Sequence, residues 1–314
     1  MIRSKPFDTI ARRIEDGALV VIDGATGTEL EKRGVEPDPG AWSGPVWLEQ
    51  QEVLQSIHED YIRAGADIII TNTFCTARHQ LEPVGFGDLV ETANRDAVAV
   101  AQRARDSAAK GRPVAIAGSI SHAFANVGER FRIVDRDTRF DDQAALRDSY
   151  REQAALLLEA GVDLIALETM QRPHTSFLAL EAALETQLPV WLGLSIGPAR
   201  EDGTIRCFDQ SDVELSDTLD ALLDERLWAV LVMHTEIEDT SIALEAIRRR
   251  WAGPLGAYPH SGFIEFPNWR HQDVIDSHAF IESARVWYDQ GARLLGGCCG
   301  IGPAHIGALR ENLP

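Results

Sequence analysis

Residues 67–71 have the sequence DIIIT, in which three consecutive isoleucines lie between polar residues. A strand with apolar side chains at successive positions is apolar on both faces, as is typical of a buried strand in a parallel sheet. Amphipathic segments, in which apolar residues recur every three or four positions, lie on either side of this run at 50–64 and 88–109. The run therefore indicates a strand within a βα unit.

The same pattern is repeated along the chain. The other apolar runs are LVVID (19–23), VAIAGS (114–119), DLIALET (163–169), VWLGLS (190–195), WAVLVM (228–233), PLGAYP (254–259) and RLLGG (293–297), and further amphipathic segments lie at 142–160, 213–225, 240–251 and 277–290. Eight such units predict an α/β fold, a (β/α)8 TIM barrel, as a single domain over residues 1–314. The alternative is a doubly wound open sheet, but no glycine-rich dinucleotide fingerprint follows the first run. The stretch GPAREDGT (197–204) is expected to be a loop.

Composition and charge exclude several classes of protein. The chain has 314 residues and a net charge of −19, and a surface this acidic repels nucleic acid and anionic membranes. No apolar run has the length of a signal peptide or a membrane span, so we expect a cytoplasmic protein. Four cysteines in a chain of this size do not indicate a disulfide framework.

Polar and metal-binding residue types gather where the predicted strands end. In a (β/α)8 barrel the active site lies at the carboxyl ends of the strands. The residues at these ends include Asp23, Gly24, Thr73, Phe74, Ser119, Glu168, Ser195, His234, His260, Cys298 and Cys299. This edge of the barrel is therefore the expected location of the chemistry.

The cysteine pair lies within the sequence GGCCG (296–300). Successive strand residues point to opposite faces, so Cys298 and Cys299 can converge only where the backbone leaves the strand, and the glycines permit such a turn. Two thiolates at a barrel mouth are good zinc ligands, and His234 is the candidate third ligand. The alternatives for the pair are two small buried apolar residues or a strained disulfide.

Nearly the whole chain resembles the homocysteine S-methyltransferase family. The motifs that carry the resemblance are DGATGTEL (23–30), AWS (41–43), IHEDYIRAGADIIITNTF (57–74), AGSI (117–120), AGVDLIALET (160–169), YPHSG (258–262) and GGCCGIGPAHI (296–306). In that family a (β/α)8 barrel holds zinc through three cysteines. Two match Cys298 and Cys299, and the third belongs to an Asn-Cys pair after the sixth strand.

The sequence departs from the family pattern at two points. Met233 and His234 stand in place of the Asn-Cys pair, and His260 stands where the family usually has Asn. The resemblance thus implies Zn²⁺ bound by His234, Cys298 and Cys299, with His260 as an alternative ligand. Zinc with two thiolates and a neutral imidazole carries no net charge, whereas three thiolates give −1. We expect the neutral site to bind a substrate thiolate more readily and to make it a weaker nucleophile.

The resemblance also assigns roles in substrate binding. It implies that Asp23 and Glu168 bind the ammonium group of homocysteine, although a turn residue and a structural ion pair are the alternatives. Gly24 is expected to let the backbone approach the ligand. Thr73, Phe74 and Ser195 are candidates for contacting the carboxylate or chain of the acceptor.

The expected partners are two small molecules, a thiol acceptor and an onium methyl donor. Trp42 lies in the motif that supplies an aromatic contact to a cationic methyl group in relatives that use betaine. Those relatives have Tyr where this chain has Cys75, so a sulfonium donor of the S-methylmethionine type is favoured and a betaine-like donor is the alternative.

Two other functions remain open from the sequence. A Cys2His zinc site also serves hydrolytic deamination, and residues 234–236 match the short H-x-E pattern of zinc deaminases, without the accompanying C-x-x-C. The other possibility is an amino-acid binder without catalytic activity on the same fold.

Overall fold

A computed structural model describes residues 2–36, 38, 43, 46–122, 142–201, 203–208, 210–265 and 270–314. The strands are β1 (Val20–Val21), β2 (Ile68–Ile70), β3 (Ala115–Ser121), β4 (Leu164–Met170), β5 (Val190–Leu194), β6 (Ile196–Ala199), β7 (Ile205–Cys207), β8 (Gln210–Glu214), β9 (Ala229–Glu236), β10 (Leu255–His260), β11 (Phe263–Glu265), β12 (Arg270–Gln272) and β13 (Leu294–Leu295).

The helices alternate with the barrel strands. They are α1 (Lys5–Glu15), α2 (Thr26–Lys32), α3 (Val46–Glu49), α4 (Gln51–Ala64), α5 (Arg78–Leu81), α6 (Val90–Ala108), α7 (Gln143–Ala160), α8 (Pro173–Glu185), α9 (Leu215–Leu222), α10 (Ile237–Arg248), α11 (Ser277–Asp289) and α12 (Pro303–Asn312), with short 3-10 helices at Glu82–Val84 and Gly87–Leu89.

Eight parallel strands form the barrel, in the order β1-β13-β10-β9-β5-β4-β3-β2. The first and last strands of this order meet through a parallel bridge between Ile22 and Ile68. Backbone hydrogen bonds support this contact, from Asp67 N to Val21 O at 2.7 Å and from Asp23 N to Ile68 O at 3.0 Å. The sheet thus closes on itself, and the predicted (β/α)8 barrel is confirmed.

Two apolar layers stabilise the barrel. One cluster fills its interior, where the large side chains of Trp191 and Tyr258 lie among alanines such as Ala117 and Ala166. The helix α1 contributes Phe7 to the same cluster and so packs against the barrel interior. The second, larger cluster lies between the strands and the outer helices. The strands are therefore buried on both faces, as the run DIIIT indicated.

The predicted strands all correspond to barrel strands, and the differences concern the segments outside them. The helix α8 was not predicted, because most of its surface is apolar and small, and its buried positions do not follow a narrow stripe. The loop predicted for 197–204 is wrong in part, because Ile196–Ala199 forms β6, which pairs with β7 in a three-stranded antiparallel sheet together with β8. The single domain over residues 1–314 stays a prediction. In the described part of the chain, no helix is both long and apolar enough to cross a bilayer.

Candidate metal and substrate site

Three side chains of metal-binding type meet at the carboxyl end of the barrel. The sulfur atoms of Cys298 and Cys299 lie 3.8 Å apart, and His234 Nδ1 lies 3.6 Å from the first and 3.9 Å from the second. A disulfide would require a sulfur separation of about 2.05 Å. Within the described residues, these three side chains form a group whose candidate ligand atoms lie within 4.8 Å of one another.

The dimensions of this triangle fit a zinc ion. Zinc binds sulfur at about 2.3 Å and imidazole nitrogen at about 2.0–2.1 Å in tetrahedral geometry, so its ligand atoms lie about 3.6–3.8 Å from each other. The three separations of 3.6, 3.8 and 3.9 Å agree with this spacing. Three protein ligands leave the fourth tetrahedral position for a substrate atom, as in catalytic zinc sites.

A tight turn after β13 brings the two cysteines to one side. Cys298 N donates to Pro259 O at 2.7 Å, and Cys299 O accepts from Ser261 N at 3.0 Å, so both residues are anchored to the end of β10. Gly300 follows at a φ of +83°, and a Cβ there would lie 2.2 Å from Ser261 O. Only glycine fits this position, which explains the glycine next to the cysteine pair.

The third member of the triangle lies in a β-bulge. The ladder between β9 and β10 shifts register after Met233, so that His234 and Thr235 together oppose the single residue Pro259. His234 adopts a φ of 43°, which is uncommon for residues other than glycine. Bulges occur next to active sites because they redirect a side chain out of the regular alternation.

A second bulge, on β4, contains Glu168, which is predicted to bind the ammonium group of the acceptor. The register between β4 and β5 shifts after Leu167, and Glu168 and Thr169 oppose the single residue Gly193. Thr169 has a φ of 55°. A Cβ at Gly193 would lie 2.6 Å from Leu167 O, so the strand facing the bulge needs a glycine. Two strand ends thus have the same local irregularity at candidate site residues.

Asp23 and Glu168 are buried carboxylates close enough to affect each other. Burial raises the pKa of Asp23 well above its usual value, the Ile70 amide lowers it in part, and the charge of Glu168 raises it further. Burial also raises the pKa of Glu168 to about 7, although hydrogen bonds that include one from Ser119 Oγ oppose the rise. Asp23 Oδ2 accepts from Ile70 N at 2.9 Å, whereas Oδ1 has no hydrogen-bond partner among the described residues. The pair can therefore accept a cation.

Two other residues that are predicted to contact the substrate, Thr73 and Ser195, already form hydrogen bonds within the protein. Thr73 Oγ1 donates to Ser119 O and lies 2.8 Å from Thr71 Oγ1. Ser195 Oγ donates to Met233 Sδ at 3.1 Å. Both hydroxyls lie at the expected strand ends, but each is buried and bonded to the barrel itself. Their contact with the substrate stays a prediction.

Gly24 and Phe74 also lie where the sequence places them. A Cβ at Gly24 would lie 2.3 Å from Ile301 O, so the close approach that requires glycine is to the turn after the cysteines. Phe74 is half-buried, and its carbonyl accepts from Ser121 Oγ at 2.6 Å. The predicted contact of Trp42 with the donor lies outside the described residues.

Three other residues, His260, Glu236 and Phe208, lie beside the candidate metal ligands. The sequence pointed to His260 as an alternative ligand and to Glu236 within the H-x-E pattern, but it did not indicate that the three lie together. His260 Nε2 lies 3.0 Å from Glu236 Oε1, and its ring packs against that of His234 with centroids 4.6 Å apart. Phe208, from the segment between β7 and β8, lies 5.1 Å from His234 and 5.4 Å from His260, centroid to centroid. This arrangement does not place His260 within the ligand group. Glu236 and His260 lie opposite each other on the neighbouring strands β9 and β10, and only the strand register shows this pairing.

Comparisons with known proteins agree with the motifs and the fold. The family model described as homocysteine S-methyltransferase matches residues 20–313. The homocysteine S-methyltransferase of Escherichia coli (strain K12) is 30% identical over 321 residues, covering 94% of this chain and 95% of that protein. The selenocysteine Se-methyltransferase of Brassica oleracea var. italica is 27% identical, with 95% and 90% covered.

Solved structures give the same result. The oxidized form of the homocysteine methyltransferase MmuM from Escherichia coli is 25% identical and covers 98% of this chain and 99% of that chain, with a TM-score of 0.76. Its metallated form has a TM-score of 0.74 at 23% identity and supports the fold. A family match over nearly the full sequence, a relative at 30% identity and a shared barrel lead to one conclusion. The chain belongs to the homocysteine S-methyltransferase family.

Proposed function

We propose that this protein transfers a methyl group from a small onium donor to the thiolate of homocysteine, giving methionine, with zinc bound by His234, Cys298 and Cys299. The observation that carries the proposal is the ligand triangle, whose separations of 3.6, 3.8 and 3.9 Å match a tetrahedral zinc site with one open position. Names of relatives support the acceptor class, because they include homocysteine and selenocysteine methyltransferases.

The buried carboxylates determine how the acceptor is held. Asp23 and Glu168 repel each other, and no basic side chain in the described part of the chain forms a salt bridge with either. The ammonium group of an amino acid would relieve this repulsion and supply a donor to Asp23 Oδ1. Because the pair lies at the same barrel mouth as the cysteines, an amino acid with a short thiol side chain can reach both.

The reaction then needs little further chemistry from the protein. A bound zinc ion would lower the pKa of the acceptor thiol and favour its thiolate. The sulfur attacks the methyl carbon, a carbon–sulfur bond forms, and the bond to the leaving atom of the donor breaks with its electron pair. A negative thiolate and a positive onium give two neutral products. The role of the protein is to position both reactants, which makes the transfer effectively unimolecular.

The donor proposal rests on charge and on one position after β2. A sulfonium or an ammonium donor carries a positive charge, and the family position that is aromatic in betaine-using relatives is Cys75 here. Burial raises the pKa of Cys75 to about 12, so this thiol stays neutral and offers neither a charge nor an aromatic face. A sulfonium of the S-methylmethionine type is therefore proposed ahead of a betaine. The cytoplasmic location also stays a prediction.

The hydrolytic alternative is not favoured by the site. A zinc deaminase uses the Glu of its H-x-E pattern as an acid and base beside the metal-activated water. Here the corresponding Glu236 lies 3.0 Å from His260 Nε2, and its side chain is about half exposed. The carboxylate is thus engaged by a neighbouring histidine. The inactive binder is distinguished from the enzyme by product formation alone.

The proposal is tested by metal content and product analysis together. Wild-type protein should contain one zinc per chain and convert homocysteine to methionine with S-methylmethionine faster than with betaine. C298A should lose the metal and the activity, because it removes one of three ligands. The matched control is C207A, which removes a buried thiol that contacts Thr218 and lies outside the ligand group, and it should keep both. Stoichiometric zinc in C298A would show that the site is misassigned.

A further inference from the structure

The imidazole of His234 packs against two other rings, which also contact each other. The ring of His260 packs against it with centroids 4.6 Å apart and planes tilted by 39°. The ring of Phe208 stands edge-on to both, at 76° to His234 and 79° to His260. The orientation of the His234 ring is therefore constrained by side chains from two other segments, β10 and the turn between β7 and β8.

His260 is itself held in place. It is 5% exposed, and its Nε2 lies 3.0 Å from Glu236 Oε1. The two residues pair in the ladder between β9 and β10, immediately after the bulge that contains His234. Its other nitrogen, Nδ1, has no hydrogen-bond partner in the part of the chain that the structure describes. Among those residues, Glu236 thus provides the polar contact that orients the His260 ring.

A histidine ligand needs this support more than a cysteine ligand would. The sulfur of a cysteine is placed by one side-chain torsion, whereas His234 Nδ1 also depends on a second torsion, which is broad in imidazoles. The bulge adds backbone strain, since a residue other than glycine at positive φ costs about 1 kcal/mol or more. Without packing partners the ring would rotate, and Nδ1 would leave the position 3.6 and 3.9 Å from the two sulfurs.

We propose that His260, held by Glu236, is a positioning residue that acts with Phe208 to fix the ring of His234 in its metal-binding orientation. The inference rests on the metal site proposed above. It assigns to Glu236 an indirect role, because its carboxylate acts on His234 through the His260 ring. It also explains why the two histidines occur together, since the second ring orients the first.

The test is a double-mutant cycle on metal affinity. Zinc affinity is measured by competition with a chromophoric chelator for wild type, H260N, H234C and H234C/H260N. H260N should lower the affinity by about tenfold or more, in the range found for partners that orient metal ligands. In the H234C background the same change should alter the affinity less than twofold, because a cysteine ligand has no ring to orient. E236Q should give a smaller loss than H260N, since the amide keeps a hydrogen bond to the ring.

The surface pair His278 and Glu282 provides matched controls. Its side chains are 86% and 67% exposed and lie 3.9 Å apart, so H278N and E282Q should leave the affinity unchanged. Cobalt-substituted H260N should also show a shifted visible spectrum, which a general loss of stability would not produce. An equal loss in both backgrounds, or no loss in either, would overturn the positioning role. Wild-type protein that binds no zinc would overturn the metal site itself, so the two failures are distinguishable.

Discussion

Two aspartates at opposite ends of neighbouring barrel strands have contrasting surroundings. Asp67 precedes β2, and its 2% exposed side chain accepts from Val21 N at 3.0 Å and contacts three arginines. Arg13 and Arg112 lie 2.8 and 3.1 Å from Oδ1, and Arg310 contacts Oδ2. Asp23 follows β1, is fully buried, and has one amide donor and an oxygen without a partner among the described residues.

The difference separates a carboxylate whose charge is compensated by arginines from one whose charge the described residues leave uncompensated. At the amino end of the barrel, the guanidinium groups around Asp67 also donate to backbone carbonyls, such as Arg112 to Ile62 O at 2.7 Å and Arg310 to Gly65 O at 2.9 Å. At the carboxyl end, the nearest charge that affects Asp23 is another carboxylate, Glu168. Equal burial thus has opposite energetic consequences, because only one of the two charges is compensated.

The largest expected effect is on stability, from Asp67→Asn. The substitution keeps the shape of the side chain but leaves three guanidinium groups without their counter-charge. Breaking a buried ion pair costs about 3–5 kcal/mol, and we expect about 3 kcal/mol because the arginines are 30–35% exposed. Denaturant unfolding measures this loss, whereas KM for the acceptor should not change in the folded enzyme.

Asp220→Asn is the control for this first prediction. Asp220 pairs with Arg250 on the surface, where its side chain is 69% exposed, and exposed pairs contribute at most about 1 kcal/mol. If both variants lost the same small amount, the network around Asp67 would not stabilise the fold in the way proposed.

The next effect is on binding, from Asp23→Asn. The amide removes a charge-assisted contact to the acceptor ammonium, worth about 1.5–3 kcal/mol, so affinity should fall about 10- to 100-fold. Stability should stay equal or rise, because the substitution removes the repulsion from Glu168. Calorimetric titration of homocysteine into wild type and variant, with zinc content measured on the same samples, tests this. Unchanged affinity with lowered stability would assign Asp23 to the fold instead.

The smallest effect is a pH dependence from Glu168. Its pKa is about 7 in the folded protein and ordinarily 4.5, because burial disfavours the charged form. Between about pH 4.5 and about pH 7 the unfolded chain has lost this proton while the folded chain keeps it, so stability falls as the pH rises through this window. A shift of one pKa unit corresponds to about 1.4 kcal/mol. Because water and protein groups relax around the buried carboxylate and weaken the effect of burial, we expect the unfolding free energy to fall by about 1 kcal/mol across this window.

Glu168→Gln tests the sign of this dependence. Since the amide does not titrate, the unfolding free energy of the metal-free variant should fall less than that of the wild type across the same window. Parallel curves for the two proteins would show that Glu168 titrates normally.

The fold was predictable because it follows from local patterns. Runs such as DIIIT and DLIALET are apolar on both faces, and each corresponds to a barrel strand in the structure. The active site of a (β/α)8 barrel lies at the carboxyl ends of its strands, which placed His234 and the cysteine pair at one edge. The structure brings their candidate ligand atoms together there. The pattern of apolar residues and the number of βα units can be read directly from the sequence. They were sufficient to predict the fold and the edge at which the candidate site lies.

The detailed geometry of the site depends on features that sequence periodicity does not show. The bulges at His234 and at Glu168 are register shifts between two strands, so they depend on both partners at once. Phe208 reaches His234 from the segment between β7 and β8, because β6, β7 and β8 form a small sheet there. Residues that act through the packing of distant segments leave no local signal.

The strand order of the barrel has a consequence for how fast it can fold. β13, which directly precedes the turn with the two cysteines, pairs with β1, so a strand at residues 294–295 lies between a strand at residues 20–21 and β10. Bringing together segments so far apart in the sequence costs loop-closure entropy before their contacts are formed, and such long-range pairing is intrinsically slow. The cysteines meet His234 in the same part of the sheet, because both are hydrogen-bonded to the end of β10. Docking of β13 thus closes the barrel and assembles the candidate metal site in one step.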